Sequence, residues 1–275
     1  MSTAPQPSPE TAVQSPKNSP ADAVRLGSKA EVAIVTVTVL VLIALSGIYI
    51  PKASYSYFVV LAAFAIFCLF LGRWVNGRPL GIFVGDRNLM SLSRFQMVLW
   101  TVFILSAYLT MCLYRLRNGT PDPLAVAMDW HLWALMGIST ASMVGSPLLL
   151  GNKTQSEAPP DAVKKAAAQL SEDASDIKQN SAGRLYGNKS VNDASFADIF
   201  QGDEIGNTAY IDVAKLQMFF FTFVSLWVYS AATLKIFNGD NYSAMPAFSD
   251  GLVALLGVSH AGYLTSKIVD HTHAN

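Results

Sequence analysis

The chain has 275 residues, of which 52% are hydrophobic and 14% are charged, whereas an average soluble domain has roughly 25% charged residues. Its net charge is zero, and no zinc-finger spacing, RNA-binding motif or basic stripe is present, so a nucleic-acid partner is not expected. Cys68 and Cys112 lie inside apolar segments, too few and too poorly placed for a disulfide framework or a metal site. We therefore expect no cofactor and no metal.

Residues 1–28 are predicted to form a disordered tail. They contain five prolines among Ser, Thr, Gln and Ala, and too few apolar side chains to offset the entropy lost on ordering. The short apolar core of a cleavable signal peptide is missing.

Apolar residues are concentrated in blocks long enough to cross a bilayer, which takes about 20 residues of helix. The sequence therefore predicts an all-α integral membrane protein, a six-helix transmembrane bundle. The six predicted spans are Val32–Ile50, Tyr55–Gly72, Phe95–Tyr114, Trp130–Leu150, Val213–Phe237 and Phe248–Ile268.

These spans divide the chain into three transmembrane hairpins joined by polar segments. The predicted hairpins are 29–73, 92–150 and 210–268, the loops between them are 74–91 and 151–209, and the tails are 1–28 and 269–275.

The distribution of Lys and Arg predicts the orientation, because these residues accumulate on the cytoplasmic side. Six spans place 15 of the 19 Lys and Arg residues on the side of the two tails and the loops 74–91 and 151–209. If the seven Lys and Arg residues in and just after the loop 151–209 are left out, eight remain on this side of the membrane and four on the other. We expect a bacterial-type plasma (inner) membrane with both termini cytoplasmic.

The loop 151–209 is the only sizeable polar segment. A short helix is predicted over Asp161–Leu170, but large apolar residues are too few for an independent domain. We interpret the loop as a small helical insert and a candidate surface for a cytoplasmic protein partner.

The hairpins 92–150 and 210–268 are two copies of one unit. Ser93-Arg94-Phe95-Gln96-Met97 matches Ala214-Lys215-Leu216-Gln217-Met218, and seven of the fifteen residues at 132–146 recur 120 positions later. Both copies begin on the same side, so the repeats are parallel and predict a pseudo-two-fold axis along the membrane normal.

Small residues recur on the returning helix of each copy and predict close helix packing. They are Gly137, Ser139, Ala141 and Gly145 in the first copy, and Gly257, Ser259 and Ala261 in the second.

A second set of residues is polar within the apolar spans, where an unbonded amide or imidazole is costly. We interpret the set either as a structural hydrogen-bond network, with Gln96 and Gln217 bonded across the pseudo-axis, or as a polar pathway. Its members are Gln96, Thr101, Gln217, Thr222 and His260. Arg94 and Lys215 are predicted to be interfacial anchors that snorkel to the head groups.

Three hypotheses for function follow. The leading one is a non-enzymatic scaffold or anchor in the bilayer, and the alternative is a homo-oligomeric channel or small-solute transporter lined by the repeated polar residues. An intramembrane hydrolase with Ser259 and His260 ranks last, because adjacent residues on a helix point roughly 100° apart and His260 could not activate Ser259.

Overall fold

The computed structural model describes residues 29–272. The predicted tail 1–28 and the last three residues of the predicted tail 269–275 lie outside the described residues. The eight helices of the described part are α1 Lys29–Tyr49, α2 Ala53–Asn76, α3 Leu92–Arg117, α4 Trp130–Gly151, α5 Pro160–Leu170, α6 Ala174–Asn180, α7 Val213–Asn238 and α8 Asp250–Ile268. Short 3₁₀ turns occupy Pro79–Phe83, Asn152–Thr154, Val191–Asp193 and Phe196–Phe200.

Five of these helices are long and apolar enough to cross a membrane, which supports a helical membrane bundle. They are α1, α2, α3, α4 with its 3₁₀ extension, and α7. Helix α8 has 19 residues, including Asp250, Lys267 and His260, and is not among them. Large apolar side chains such as Leu148 and Trp227, each 72% exposed, form an outer surface suited to lipid.

Helix α3 is the centre of the bundle. Half of the residues in its apolar stretch are buried in the protein, whereas the buried share is 17% to 28% in the other four candidate spans. It packs against α2, α4, α7 and α1, while α8 packs against α4 and α7. In the core between the helices, the Trp100 ring packs edge-on against Tyr229 and Phe248, and the rings of Tyr229 and Phe248 stack on each other.

The bundle has two different ends. At the end that we call the loop end, α2, α4 and α8 finish, α3 and α7 begin, and residues 152–212 fold over the helices. At the opposite, turn end, the two turns between helices pair through a bridge from Ala127 to Ala244, and His131 Nε2 lies 2.6 Å from Asp250 Oδ1.

The long loop is ordered and has a small core of its own. The predicted helix over 161–170 is present as α5. Side chains from α5, α6 and the following segment are buried together, and Leu89, from the connection between α2 and α3, packs on them. The buried members are Val163, Ala166, Ala167, Ile177, Tyr186 and Ile205.

The predicted packing face of small residues is only partly a packing face. Gly137, Ala141 and Ala261 are exposed, and a Cβ on Gly137 would meet nothing within 4 Å. A Cβ on Gly145 would lie 3.5 Å from Leu264 and one on Gly257 would lie 3.9 Å from Ile138, both ordinary van der Waals distances. Of the predicted set, Ser139 and Ser259 are buried, and α4 also buries Leu132, Leu135, Ser142 and Ser146.

A close backbone approach occurs at a different glycine, Gly72 in α2. A Cβ there would lie 2.5 Å from the Pro79 carbonyl oxygen and 2.9 Å from the Ile82 nitrogen. Both atoms belong to the backbone of the 3₁₀ turn and cannot rotate away, so this turn packs tightly on α2 only because residue 72 has no side chain.

We therefore predict that Gly72→Ala lowers the melting temperature in detergent, because overpacking costs about 1–3 kcal/mol. Gly137→Ala is the matched control: it adds the same methyl group inside a helix where the space is open, and alanine favours helix by up to about 1 kcal/mol. Equal melting temperatures for the two variants would contradict the close approach at Gly72.

Candidate functional site

A buried cluster of charges lies at the loop end, centred on Asp203. Its Oδ1 is 2.7 Å from Arg87 Nη2, and its Oδ2 is 3.2 Å from Lys215 Nζ and also bonds Lys267 Nζ. The side chains of Lys215 and Lys267 are 6% and 2% exposed, and those of Asp203 and Arg87 are 13% and 18% exposed. One carboxylate is thus shared by three cations.

Each member of this cluster comes from a different part of the chain. Arg87 belongs to the connection before α3, Asp203 to the long loop, Lys215 to the first turn of α7 and Lys267 to the last turn of α8. Arg87 Nη1 also donates to the carbonyl oxygens of Tyr186 and Asp203, each at 2.9 Å. Burial lowers the pKa of Arg87, and the neighbouring carboxylate of Asp86 acts in the opposite direction.

A second ion pair holds the end of α4 to the loop. Lys153 Nζ lies 2.6 Å from Glu204 Oε1 and also donates to the carbonyl oxygen of Val269. Glu204 Oε2 accepts from the backbone amide of His271 at 3.1 Å, and its side chain is 2% exposed. The loop is therefore fixed to the ends of both α4 and α8.

A cavity of about 620 Å³ adjoins this cluster, between the loop-end turns of α3 and α4 and the loop. Its apolar wall includes Met97, Val98, Met143, Pro147 and Leu150. Its charged wall includes Asp86, Arg87, Arg94, Asp198, Asp203 and Lys215. The cavity therefore joins the apolar surface of the bundle to a charged, largely buried polar layer.

The carboxylate of Asp198 is satisfied within the protein. Its Oδ2 accepts from the backbone amides of Ser195, at 2.9 Å, and Met90, at 3.1 Å. Burial raises the pKa of Asp198, while these two hydrogen bonds act in the opposite direction. This residue fixes the turn at 196–200 to the start of α3.

Lys215 is not the interfacial anchor that its position in the sequence suggests. It is 5% exposed and donates to the Gln201 carbonyl oxygen at 2.5 Å, because the loop folds over the start of α7 and encloses it. Arg94, the equivalent residue of the first copy, is exposed, and its Nη1 donates to the Val84 carbonyl oxygen at 3.2 Å.

The two glutamines do not bond to each other. Gln96 Nε2 donates to the Met218 carbonyl oxygen, at 3.2 Å, and to Thr222 Oγ1, whereas Gln217 is exposed. The Oε1 atom of Gln96 is buried without a hydrogen-bond partner. Thr101 is half-buried, so the repeated polar residues are not in equivalent places.

His260 pairs with Ser142, a partner that the sequence reasoning missed. Ser142 Oγ lies 2.6 Å from His260 Nδ1, and the two residues are 1% and 2% exposed. The hydroxyls of Ser139 and Ser259 and the Nε2 atom of His260 are buried without partners. The recurrence of serine at 139, 142 and 146 is a helical spacing that could have indicated this polar face.

A third polar contact joins three helices at the loop end. Tyr263 Oη lies 2.9 Å from Ser93 Oγ and 3.1 Å from Ser146 Oγ, and Lys267 Nζ lies 4.6 Å from the centre of the Tyr263 ring. The polar residues of α3, α4, α7 and α8 are thus grouped in separate contacts between pairs or triplets of helices. None of Gln96, Thr101, Gln217, Thr222 and His260 lines the cavity.

Comparison with protein-family models, with curated proteins and with solved structures finds no match for this chain. Among residues 29–272, no three His, Cys, Asp or Glu side chains are grouped so that they could hold a metal ion.

The cluster predicts a large effect of removing its shared carboxylate. We expect Asp203→Asn to lower the free energy of unfolding by about 3–5 kcal/mol, because breaking a buried ion pair leaves uncompensated charge. The measurement is the melting temperature of the purified protein in detergent.

Asp176→Asn is the control. Asp176 belongs to the same loop, but its carboxylate is 3.9 Å from Lys189 and both side chains are well exposed, so the change should be within about 0.5 kcal/mol. Similar melting temperatures for the two variants would show that Asp203 does not hold the loop.

Proposed function

We propose that this protein is a non-enzymatic membrane scaffold or anchor, a six-helix bundle that binds a protein partner through its loop end. The carrying observation is that a folded loop is fixed to the bundle by buried ion pairs, whereas Gln96 with Thr222, and Ser142 with His260, make polar contacts between helices. A rigid polar platform on a membrane bundle suits binding better than catalysis or conduction.

The contacts of the polar residues argue against a pathway within one copy of the chain. Gln96 bonds to α7, and His260 bonds to α4. A wet pathway would expose these groups to a common cavity, but the cavity at the loop end is lined by other residues. Ser142 and His260 are a hydroxyl and an imidazole in contact, yet both are too deeply buried for a substrate to reach.

Helix α5 offers a free surface on the loop. Its buried face packs Val163 and Ala166 into the loop core, whereas Lys164 and Lys165 on its other side are exposed. This basic surface suits a partner that carries acidic residues. The excess of Lys and Arg at the loop end supports a cytoplasmic location for it, with both termini cytoplasmic and the membrane a bacterial-type plasma membrane.

Several structural features support the duplication and its parallel arrangement. Helices α3 and α7 each have 26 residues and begin after equivalent side-chain caps, Ser91 and Asp212. Each is preceded by a 3₁₀ turn and one β-bridge, Val84 to Met90 in the first copy and Gln201 to Ile211 in the second. In this proposal α8 is the counterpart of α4 and the sixth span.

Affinity purification of the full chain in mild detergent tests the proposal. We expect a protein to co-purify in a fixed ratio, and the variant Lys164→Glu/Lys165→Glu to lose at least 80% of it while retaining its melting temperature. Lys52→Glu/Lys235→Glu is the control, because it reverses two exposed charges at the turn end, one just before α2 and one in the last turn of α7, and should retain the partner.

The scaffold proposal fails if the two double variants behave alike, or if no partner co-purifies and the protein in liposomes conducts a solute or ion. Conduction would favour the alternative, a homo-oligomeric channel. Its subunits would then meet through outward-facing residues such as Gln217.

A double-mutant cycle tests whether Gln96 is a structural residue. We expect Gln96→Leu and Thr222→Val to be coupled by about 0.5–3 kcal/mol, because each removes the other's partner. Gln96→Leu and Gln217→Leu should instead be additive, and Gln217→Leu alone should change stability by less than about 0.5 kcal/mol. Additivity of Gln96→Leu with Thr222→Val would place both groups in water and count against the scaffold.

A further inference from the structure

The cavity at the loop end lies where the bundle changes from an apolar to a charged surface. Met97 and Val98 are in the second turn of α3, and Met143 and Pro147 are near the end of α4. Pro147 is exposed, as are its neighbours Val144 and Leu148 on the outer surface of α4. The apolar wall of the cavity is therefore continuous with the outer surface of α4.

We propose that this cavity binds the phosphate head group of an anionic phospholipid from the surrounding bilayer, with an acyl chain along Met97, Val98, Met143 and Pro147. The proposal goes beyond the scaffold role and does not depend on it.

Charge is the first argument. The cavity wall holds three cations, Arg87, Arg94 and Lys215, and three carboxylates, Asp86, Asp198 and Asp203, and Lys267 is a further cation just outside the wall. Asp203 is already shared by three of the cations, and Asp198 is occupied by two backbone amides. Asp86 is exposed. Because Asp203 and Asp198 are already engaged, an anion in the cavity would supply Arg94 with an ion-pair partner.

Arg94 is the residue best placed to bind the anion. Of the three basic residues in the wall, it is the exposed one, and its side-chain hydrogen bond to the Val84 carbonyl oxygen uses one of its five N–H donors. A guanidinium group can bind a phosphate with two parallel hydrogen bonds. Arg94 also lies in the first turn of α3, where the positive end of the helix dipole favours an anion.

The wall also offers an acceptor for a head-group hydroxyl. Proline has no backbone N–H, so Pro147 cannot donate to the carbonyl oxygen four residues earlier, that of Met143. Met143 and Pro147 both line the cavity, beside its other apolar residues. A head group with a hydroxyl beside its phosphate, such as that of phosphatidylglycerol, would complement both groups.

The test uses the full-length protein in detergent, with phosphatidylglycerol and phosphatidylcholine as the added lipids. We expect phosphatidylglycerol to raise the melting temperature by several degrees more than phosphatidylcholine. The difference should fall by at least half in Arg94→Gln and in Met97→Trp, which fills the cavity. Arg73→Gln should preserve it, because Arg73 is an exposed cation at the same end that does not line the cavity.

Three results would overturn the proposal: equal stabilisation by the two lipids, an equal loss in Arg73→Gln, or the same stabilisation by soluble glycerol phosphate, which would indicate a site for a water-soluble anion. If Arg94→Gln and Met97→Trp do not fold, native mass spectrometry of the parent decides the question. Phosphatidylglycerol should then stay bound at a higher collision energy than phosphatidylcholine, and equal retention would reject the site.

Discussion

The loop end depends on one carboxylate. Asp203 holds Arg87, Lys215 and Lys267, and through them it joins the connection before α3, the start of α7 and the end of α8. Three cations this close would repel one another in a poorly hydrated place, so the arrangement requires a shared anion. With Asp203 in place the loop can fold over the helices, enclose the charges and close one side of the cavity.

The sequence predicted the helices well because long apolar runs allow few other structures. The spans predicted at Trp130–Leu150 and Val213–Phe237 agree within one residue with α4 and α7. Other helices extend further, as α3 does, beginning at Leu92 and ending at Arg117, because capped ends continue beyond the apolar run. Hydropathy detects only the apolar run, so the longer ends were missed.

The site was less predictable, because it depends on contacts between residues far apart in the chain. Lys215 resembles an interfacial anchor when only its own helix is considered, and it is buried because residues 201–203 cover it. Asp203 is one acidic residue in a polar loop, and although Ile199-Phe200-Gln201-Gly202-Asp203 resembles Ile82-Phe83-Val84-Gly85-Asp86, that likeness does not indicate its three cationic partners. The pairing of Ser142 with His260 depends on which faces α4 and α8 turn toward each other.

The rotation of the helices explains why repeated residues differ in environment. Under the sequence alignment Gln96 corresponds to Gln217, yet the buried position in α7 is Met218. The shift is systematic. The sequences of α3 and α7 align at an offset of 121 residues, but their buried positions align at an offset of 122. The buried residues Trp100, Ile104 and Met111 of α3 thus correspond to the buried residues Thr222, Leu226 and Thr233 of α7.

Helices α4 and α8 show the same shift: their sequences align at an offset of 120 residues and their buried positions at an offset of 121. Leu132 and Leu135 of α4 correspond in burial to Val253 and Leu256 of α8. One residue is roughly 100° of rotation. The second hairpin therefore buries a different face from the first.

The neighbouring helices of the two hairpins also differ. Helices α1 and α2 both pack against α3, whereas of the two only α2 packs substantially against α7. A residue type that recurs between the segments 92–150 and 210–268 thus does not make the same contacts in both, and the polar residues of each segment must be assigned from their own neighbours.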